Sequence, residues 1–182
     1  GMAIDQIERL DYIPVKFTLN KIDAVSNQKE LLELAATLYK EGGEAWLFKV
    51  EVGPDDKNSA KNIVRLSQTG LSLPNRDYYL KTDAATQAIR KAYVAYITKL
   101  FTLTGVDQTI ANKQAEEILK LETAVAGSHV SPVDLRDPQK NYNKFTVVDF
   151  QKQTPNLELK PLLERMAVSS DAIIVSQPKY YE

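Results

Sequence analysis

Apolar residues recur along this chain in two rhythms, one at every third or fourth position and one at every second. The stretch "SNQKELLELAATLYKEGG" follows the first. Leu31, Leu34, Ala35 and Leu38 fall on one side of a helix predicted over residues 28–41. Asn27 and Glu30 stand where a capping box closes a helix start, and Gly42 and Gly43 supply a left-handed stop. The next run, "AWLFKVEV", alternates, with Phe48, Val50 and Val52 on one face and Lys49 and Glu51 on the other. "KNIVRLSQ" alternates again beyond the turn-forming "GPDDKNS", so a β-hairpin is predicted over residues 45–68.

The helical rhythm returns in "DAATQAIRKAYVAYITKLFTLTG", a helix predicted over 84–104, capped by Asp83 and stopped by Gly105. Ile89, Tyr93, Tyr96, Ile97, Leu100 and Phe101 form its broad apolar face, which reads both tyrosines as core residues rather than a stacking platform. A second long helix is predicted over 108–126. Its expected buried stripe is Ile110, Ala111, Ala115, Ile118, Leu121, Ala124 and Val125. The short connection favours an antiparallel pair.

"SHVSPVDLRDPQKNYNKF" then breaks the pattern with two prolines and several turn formers. Thr146 and Asp149 are placed to cap a short helix in "VVDFQKQ". Pro161 fits the first turns of another helix in "LELKPLLERMAV", and "AIIVS" reads as a strand. The expected fold is mostly α with a β-hairpin, an α+β unit without repeats, low-complexity tracts or flexible linkers.

Composition acts mainly by exclusion. The 182 residues suffice for one sizeable domain, with 43% hydrophobic and 26% charged residues. Lysine plus arginine number 23 against 24 acidic residues, and a net charge of −1 offers no footprint for nucleic acid or an anionic membrane. No cysteine is present, which removes disulfides, thiolate nucleophiles and cysteine-held metals. No asparagine occupies an N-x-S/T context, and no apolar run approaches the ~20 residues of a membrane span. Gly1 ahead of Met2 reads as the remnant of an added tag, so the chain is expected to begin inside a longer protein.

Candidate chemistry is sparse. His129 is the sole histidine, and it follows a helix stop with no nucleophile elbow nearby, so it reads as a surface or helix-end residue. "GPDDKNS" gathers Asp55, Asp56, Asn58 and Ser59 without the spacing of a calcium loop, and these are turn formers first. "YKEGGEA" matches neither phosphate-binding glycine pattern.

One string stands out: "GLSLPNRDYYL". Pro74 fixes the backbone as the chain leaves the hairpin, and Leu73 before it is biased extended. Arg76 offers a carboxylate two parallel hydrogen bonds, and Tyr78 and Tyr79 bring rings with hydroxyls. The string reads as a corner piece locking hairpin to long helix. "DLRDPQKNYNKF" is similar in kind, with Arg136, Asp137 and Pro138 before Tyr142. Arg76 or Arg136 is expected to pair with a carboxylate, beside largely buried tyrosine rings.

"DDKNS", "GLSLPNRDYYL", "RDPQKNYNKF" and "VSQPKYY", in that order, resemble the N-terminal region of the neprilysin-like zinc metalloendopeptidases. That family groups neprilysin, endothelin-converting enzyme and bacterial oligoendopeptidase O. The likeness runs from "IDAV" near residue 22 to the C-terminus, and Ser72 departs from the family's commoner G-L-G-L-P. The resemblance implies two mostly helical lobes facing across a chamber. The second lobe carries H-E-x-x-H and zinc; the first restricts access, so short peptides are cleaved. The likeness here is to the first lobe alone. No catalytic residue carries over, since the zinc ligands have no counterpart and the family's substrate-clamping arginine lies upstream of the matched stretch. Arg76, Asp77, Tyr78, Arg136, Asp137 and Tyr142 carry over as structural motif residues.

The resemblance further implies zinc in the intact protein but none bound by this chain. Its expected partners are its own C-terminal catalytic lobe and peptide substrates. The implied location is outside the cytoplasm (periplasmic, secreted or membrane-anchored), although cytoplasmic members exist. Lack of cysteine suggests a bacterial relative. Two other readings stay open: a stand-alone helical interaction module, and an acid/base enzyme built on carboxylates such as Asp55 and Asp56.

Overall fold

In the computed structural model, which describes residues 3–43 and 46–182, the chain opens with two short helices, α1 (Ile4–Leu10) and α2 (Ile13–Asp23). Neither was signalled by the apolar rhythm, and neither buries a residue. The predicted first helix follows as α3 (Gln28–Lys40). Asn27 accepts the Glu30 N–H as expected, but the Glu30 carboxylate reaches Ser26 rather than Asn27, taking both its N–H and its hydroxyl at 2.8 Å.

The hairpin forms from β1 (Lys49–Asp55) and β2 (Asn58–Ser67). Its expected start at residue 45, like the reading of Gly1 and Met2, lies outside the described residues. Phe48 and Val50 enter the core, whereas Val52, on the same face of what is an edge strand of the sheet, is exposed. After the four-residue α4 (Asp77–Leu80) come the long pair α5 (Ala84–Leu103) and α6 (Gln108–Ser128). Asp83 and Asp107 cap their starts, and Gly105 turns between them with φ +90°, a conformation that disfavours any side chain. A three-residue strand β3 (Lys144–Thr146), α7 (Val147–Gln153), α8 (Leu159–Arg165) and β4 (Ala172–Val175) complete the order. Thr146 caps α7 through the Asp149 N–H, as its sequence signals.

The hairpin is not an attachment. It forms half of a four-stranded mixed sheet in the order β1-β2-β4-β3. β2 runs parallel to β4, with Val64 beside Ile173 and Leu66 beside Val175, and β3 closes the far edge antiparallel. Periodicity marked "AIIVS" as a strand but carried no pairing information, because register across more than a hundred residues leaves no local trace. One face of the sheet gathers Phe48, Val50, Val64, Leu66, Ile173 and Val175 against α3, α7 and α8. Phe150, Leu159 and Leu162 fill the space between, and Tyr39 on α3 donates to the Val50 carbonyl at 2.6 Å.

The helix pair packs differently. α5 and α6 touch each other and α4, and the expected apolar faces stay largely uncovered. On α6 the small residues Ala111, Ala115 and Ala126 are buried, but Ile110 and Leu121 of the expected stripe are exposed. On α5, Ile97 is buried while Ile89, Tyr96 and Leu100 face outward, so Tyr96 is not a core residue. Alanines let two helices approach closely, which leaves longer neighbours stranded at the rim.

Candidate functional site

The corner at residues 68–80 is where hairpin, helix pair and C-terminal segment meet. Gly70 turns the chain with φ +88°, and a Cβ there would run into the Trp46 carbonyl oxygen. Tyr79 is buried; its hydroxyl accepts the Leu73 N–H at 2.8 Å and donates to Glu122 on α6 at 2.8 Å. Ser72 donates to the other Glu122 oxygen at 2.6 Å, and Tyr93 of α5 donates at 2.9 Å. One carboxylate therefore collects three hydroxyls from three segments. Burial, and then the neighbouring carboxylate, push both phenols up, Tyr93 to about 12.

Arg76 does not pair with a carboxylate. Its guanidinium donates to the carbonyl oxygen of His129, at the C-terminal end of α6, where unpaired carbonyls and the negative end of the helix dipole favour a cation. Arg136 is exposed; its N–H donates to the Val133 carbonyl oxygen at 3.1 Å, but among the described residues its side chain makes no hydrogen bond and neither arginine forms an ion pair. Asp77 pairs with Lys81 at 2.9 Å, and Arg90 of α5 takes the carbonyls of Tyr78 and Lys81 at 2.8 and 2.9 Å. Asp137 holds a turn by accepting the N–H groups of Gln139 and Lys140. The first corner piece is thus joined to the end of α6, by a backbone group that side-chain chemistry alone does not announce.

His129 does sit at a helix end, but buried. Its Nε2 lies 3.0 Å from the Thr69 carbonyl oxygen, and its ring meets Tyr180 edge-on at 5.1 Å. Burial lowers its pKa, opposed by the Thr69 contact and reinforced by Arg76. A ring held this way is not a base open to substrate. Beside it, Gln68 donates its N–H to Gln177 and accepts the Val130 N–H, both at 2.9 Å, and Gln177 continues to Asn141 at 2.7 Å.

The second cluster stands at the hairpin turn. Asp55 accepts the Lys57 N–H, as a turn former should, and also the Tyr142 hydroxyl at 2.8 Å and the Lys144 ammonium at 2.6 Å. These contacts, Lys144 first, hold its pKa down at about 2. Asp55 is buried and fully engaged while Asp56 pairs with Arg65 at 2.7 Å, which removes the carboxylate acid/base reading. Glu122, Lys144 and Gln177 were missed in the sequence. Only Glu122 left a signal, a carboxylate seven residues after Ala115 and four before Ala126 on the buried side of α6.

Two cavities adjoin along α3. One, of about 460 Å³, is walled by Lys29, Glu33, Asn156, Glu158 and Arg165; the other, of about 360 Å³, by Leu31, Leu47, Val125, Leu157 and Glu182. Neither holds a nucleophile beside a base. No group of three metal-ligating side chains occurs among the described residues, and one histidine with no cysteine does not fit a zinc site. What the arrangement offers is a hydrogen-bonded junction and partly uncovered apolar faces.

A model of the N-terminal part of peptidase family M13 matches residues 1–182. Endothelin-converting enzyme-like 1 of Rattus norvegicus is 38% identical over 139 residues, 74% of this chain and 18% of the relative. Endothelin-converting enzyme 1 of Homo sapiens is 31% identical over 166 residues, 87% of this chain and 21% of the relative. The zinc metalloprotease Zmp1 of Mycobacterium tuberculosis superposes with a TM-score of 0.88 at 28% identity, over 97% of this chain and 28% of that one. PepO from Lactobacillus rhamnosis shares the fold, with a TM-score of 0.79 at 17% identity over 95% of this chain and 28% of that one. The chain spans about a fifth of the length of these curated relatives.

Proposed function

The chain belongs to peptidase family M13, and we propose that it forms part of the non-catalytic N-terminal lobe of a zinc-dependent metalloendopeptidase acting on short peptides. The observation that carries this reading is the family match across residues 1–182, in a sequence whose single histidine cannot build the two-imidazole site that activates water. Zinc and the general base belong, on this reading, to a second lobe supplied by the rest of the intact protein. The contribution of this region is steric: a rigid wall that narrows access, so that flexible peptides reach the zinc and folded proteins do not. Arg76, Asp77, Tyr78, Asp137 and Tyr142 serve that wall by fixing its corners, and Arg136 stands at its surface. A location outside the cytoplasm and a bacterial source accompany the reading.

Metal analysis and a quenched-peptide assay on residues 1–182 and on the complete reading frame test it. The 182-residue chain should neither bind zinc stoichiometrically nor hydrolyse peptide, and the complete protein should do both and lose activity to a chelator. Chelator-insensitive hydrolysis by residues 1–182 would overturn it. A complete reading frame without H-E-x-x-H would give preference to the interaction module.

A further inference from the structure

The α6 helix carries an apolar surface that the described residues cover only in part. Ile110, Gln114, Ile118, Leu121 and Val125 recur at helical spacing on one side of it, next to the alanines that face α5. Leu121 is 65% exposed and Ile110 53%. Phe101 of α5 joins Gln114, Ile118 and Leu121 around a shallow depression of about 340 Å³. One turn beyond Leu121, Val125 lines the 360 Å³ groove in which Glu182 also lies, beside Leu31 and Leu47. A chain leaving Glu182 is therefore already at the end of this stripe.

We propose that the polypeptide following Glu182 in the intact peptidase crosses that groove and seats an apolar-faced segment along Ile118 and Leu121. This inference rests on the reading above, in which the intact protein continues past these residues; its relatives are about five times longer than the matched region. The stripe has the composition of a core face, and removing exposed leucine and isoleucine side chains from water is favourable. The occupant is thus the protein's own downstream segment, presenting leucine- or isoleucine-like side chains at the same helical spacing.

The chain lacks cysteine, so Leu121→Cys places a single thiol on the stripe. Its exposed position makes the change tolerable to the fold. Alkylation of Cys at 121 should be fast in residues 1–182 and at least ~10-fold slower in the complete protein, read by peptide mass spectrometry. Equal rates in the two proteins would overturn the proposal. So would a concentration-dependent dimer of residues 1–182 that shields the thiol equally, because the occupant would then be a second copy. Protection in a complete protein that lacks H-E-x-x-H would sustain this inference while removing the peptidase reading. Equal rates in a chelator-sensitive peptidase would remove this inference alone.

Discussion

Around the sheet, apolar side chains meet apolar side chains: Ile173, Phe150, Leu159 and Leu66 are essentially inaccessible to water. Between the sheet and the α5–α6 pair, the contacts described are mostly hydrogen bonds, through Glu122, Arg76, His129 and Gln68. The first kind of contact is tolerant in direction and strong in sum. The second is directional, and loses much when one partner is removed. The difference teaches that the sheet half carries its own core, while the helix pair is positioned by polar locks and keeps its large apolar residues outward.

Substitution in the two halves should separate them most strongly. Phe150→Ala is expected to cost about 3–5 kcal/mol in a denaturant melt, since the ring is fully buried and its loss leaves a cavity in the core. Leu121→Ala on the helix pair should cost less than ~0.5 kcal/mol in residues 1–182, because that side chain is already in water. Equal losses would erase the contrast.

Breaking a lock should come next. Glu122→Ala leaves the hydroxyls of Ser72, Tyr79 and Tyr93 without their acceptor, at a cost of about 2–3 kcal/mol. Glu122→Gln should recover part of it, since the amide oxygen still accepts. A melt indifferent to both would show that the pair is held by something other than this carboxylate.

Acid should then act on the locks in two stages. His129 has a lowered folded pKa, so the unfolded chain binds its proton first. Its contribution is complete above about pH 6.5 and is lost as pH falls below that value towards the folded pKa. Asp55, also lowered, keeps its contribution above its ordinary 3.8 and loses it as pH falls through about 2. A melting-temperature profile for His129→Gln should lose the upper limb only, and one for Asp55→Asn the lower. An unchanged upper limb in His129→Gln would detach the imidazole from the junction.

Arg136→Ala should do least, within ~0.5 kcal/mol in the same melt, because the side chain is exposed and makes no ion pair among the described residues. A loss near that of Glu122→Ala would show that the second corner depends on it.

Legibility followed the range over which each signal acts. The α3, α5 and α6 helices, the hairpin and the short α7 could be read because caps, glycine stops and periodicity lie within a few residues of what they specify. Asp83, Thr146 and Gly105 are such cases. The β2–β4 pairing and the Asp55–Lys144 and Glu122–Tyr79 contacts join distant segments, and nothing local distinguishes those residues from surface carboxylates and lysines. The α6 stripe shows a third situation. Its pattern predicted burial that the described residues do not provide. The corner motif was legible as a corner, yet Arg76 found a helix-end carbonyl instead of a carboxylate, because the geometry of α6 decides which acceptor comes within reach.

The parallel alignment of Val64 with Ile173 also sets an order in time. A ribosome emits β2 long before β4, with the whole helix pair in between. Until β4 arrives, the β2 edge that it will cover presents unpaired backbone groups and the side chains of Val64 and Leu66. Contacts of such sequence separation form late, since a long loop must close before they return any stabilisation. The hairpin must therefore wait, exposed, for the last tenth of the 182 residues. During that interval the chain is most open to wrong strand partners, and a chaperone or simple speed of synthesis has its greatest influence on yield.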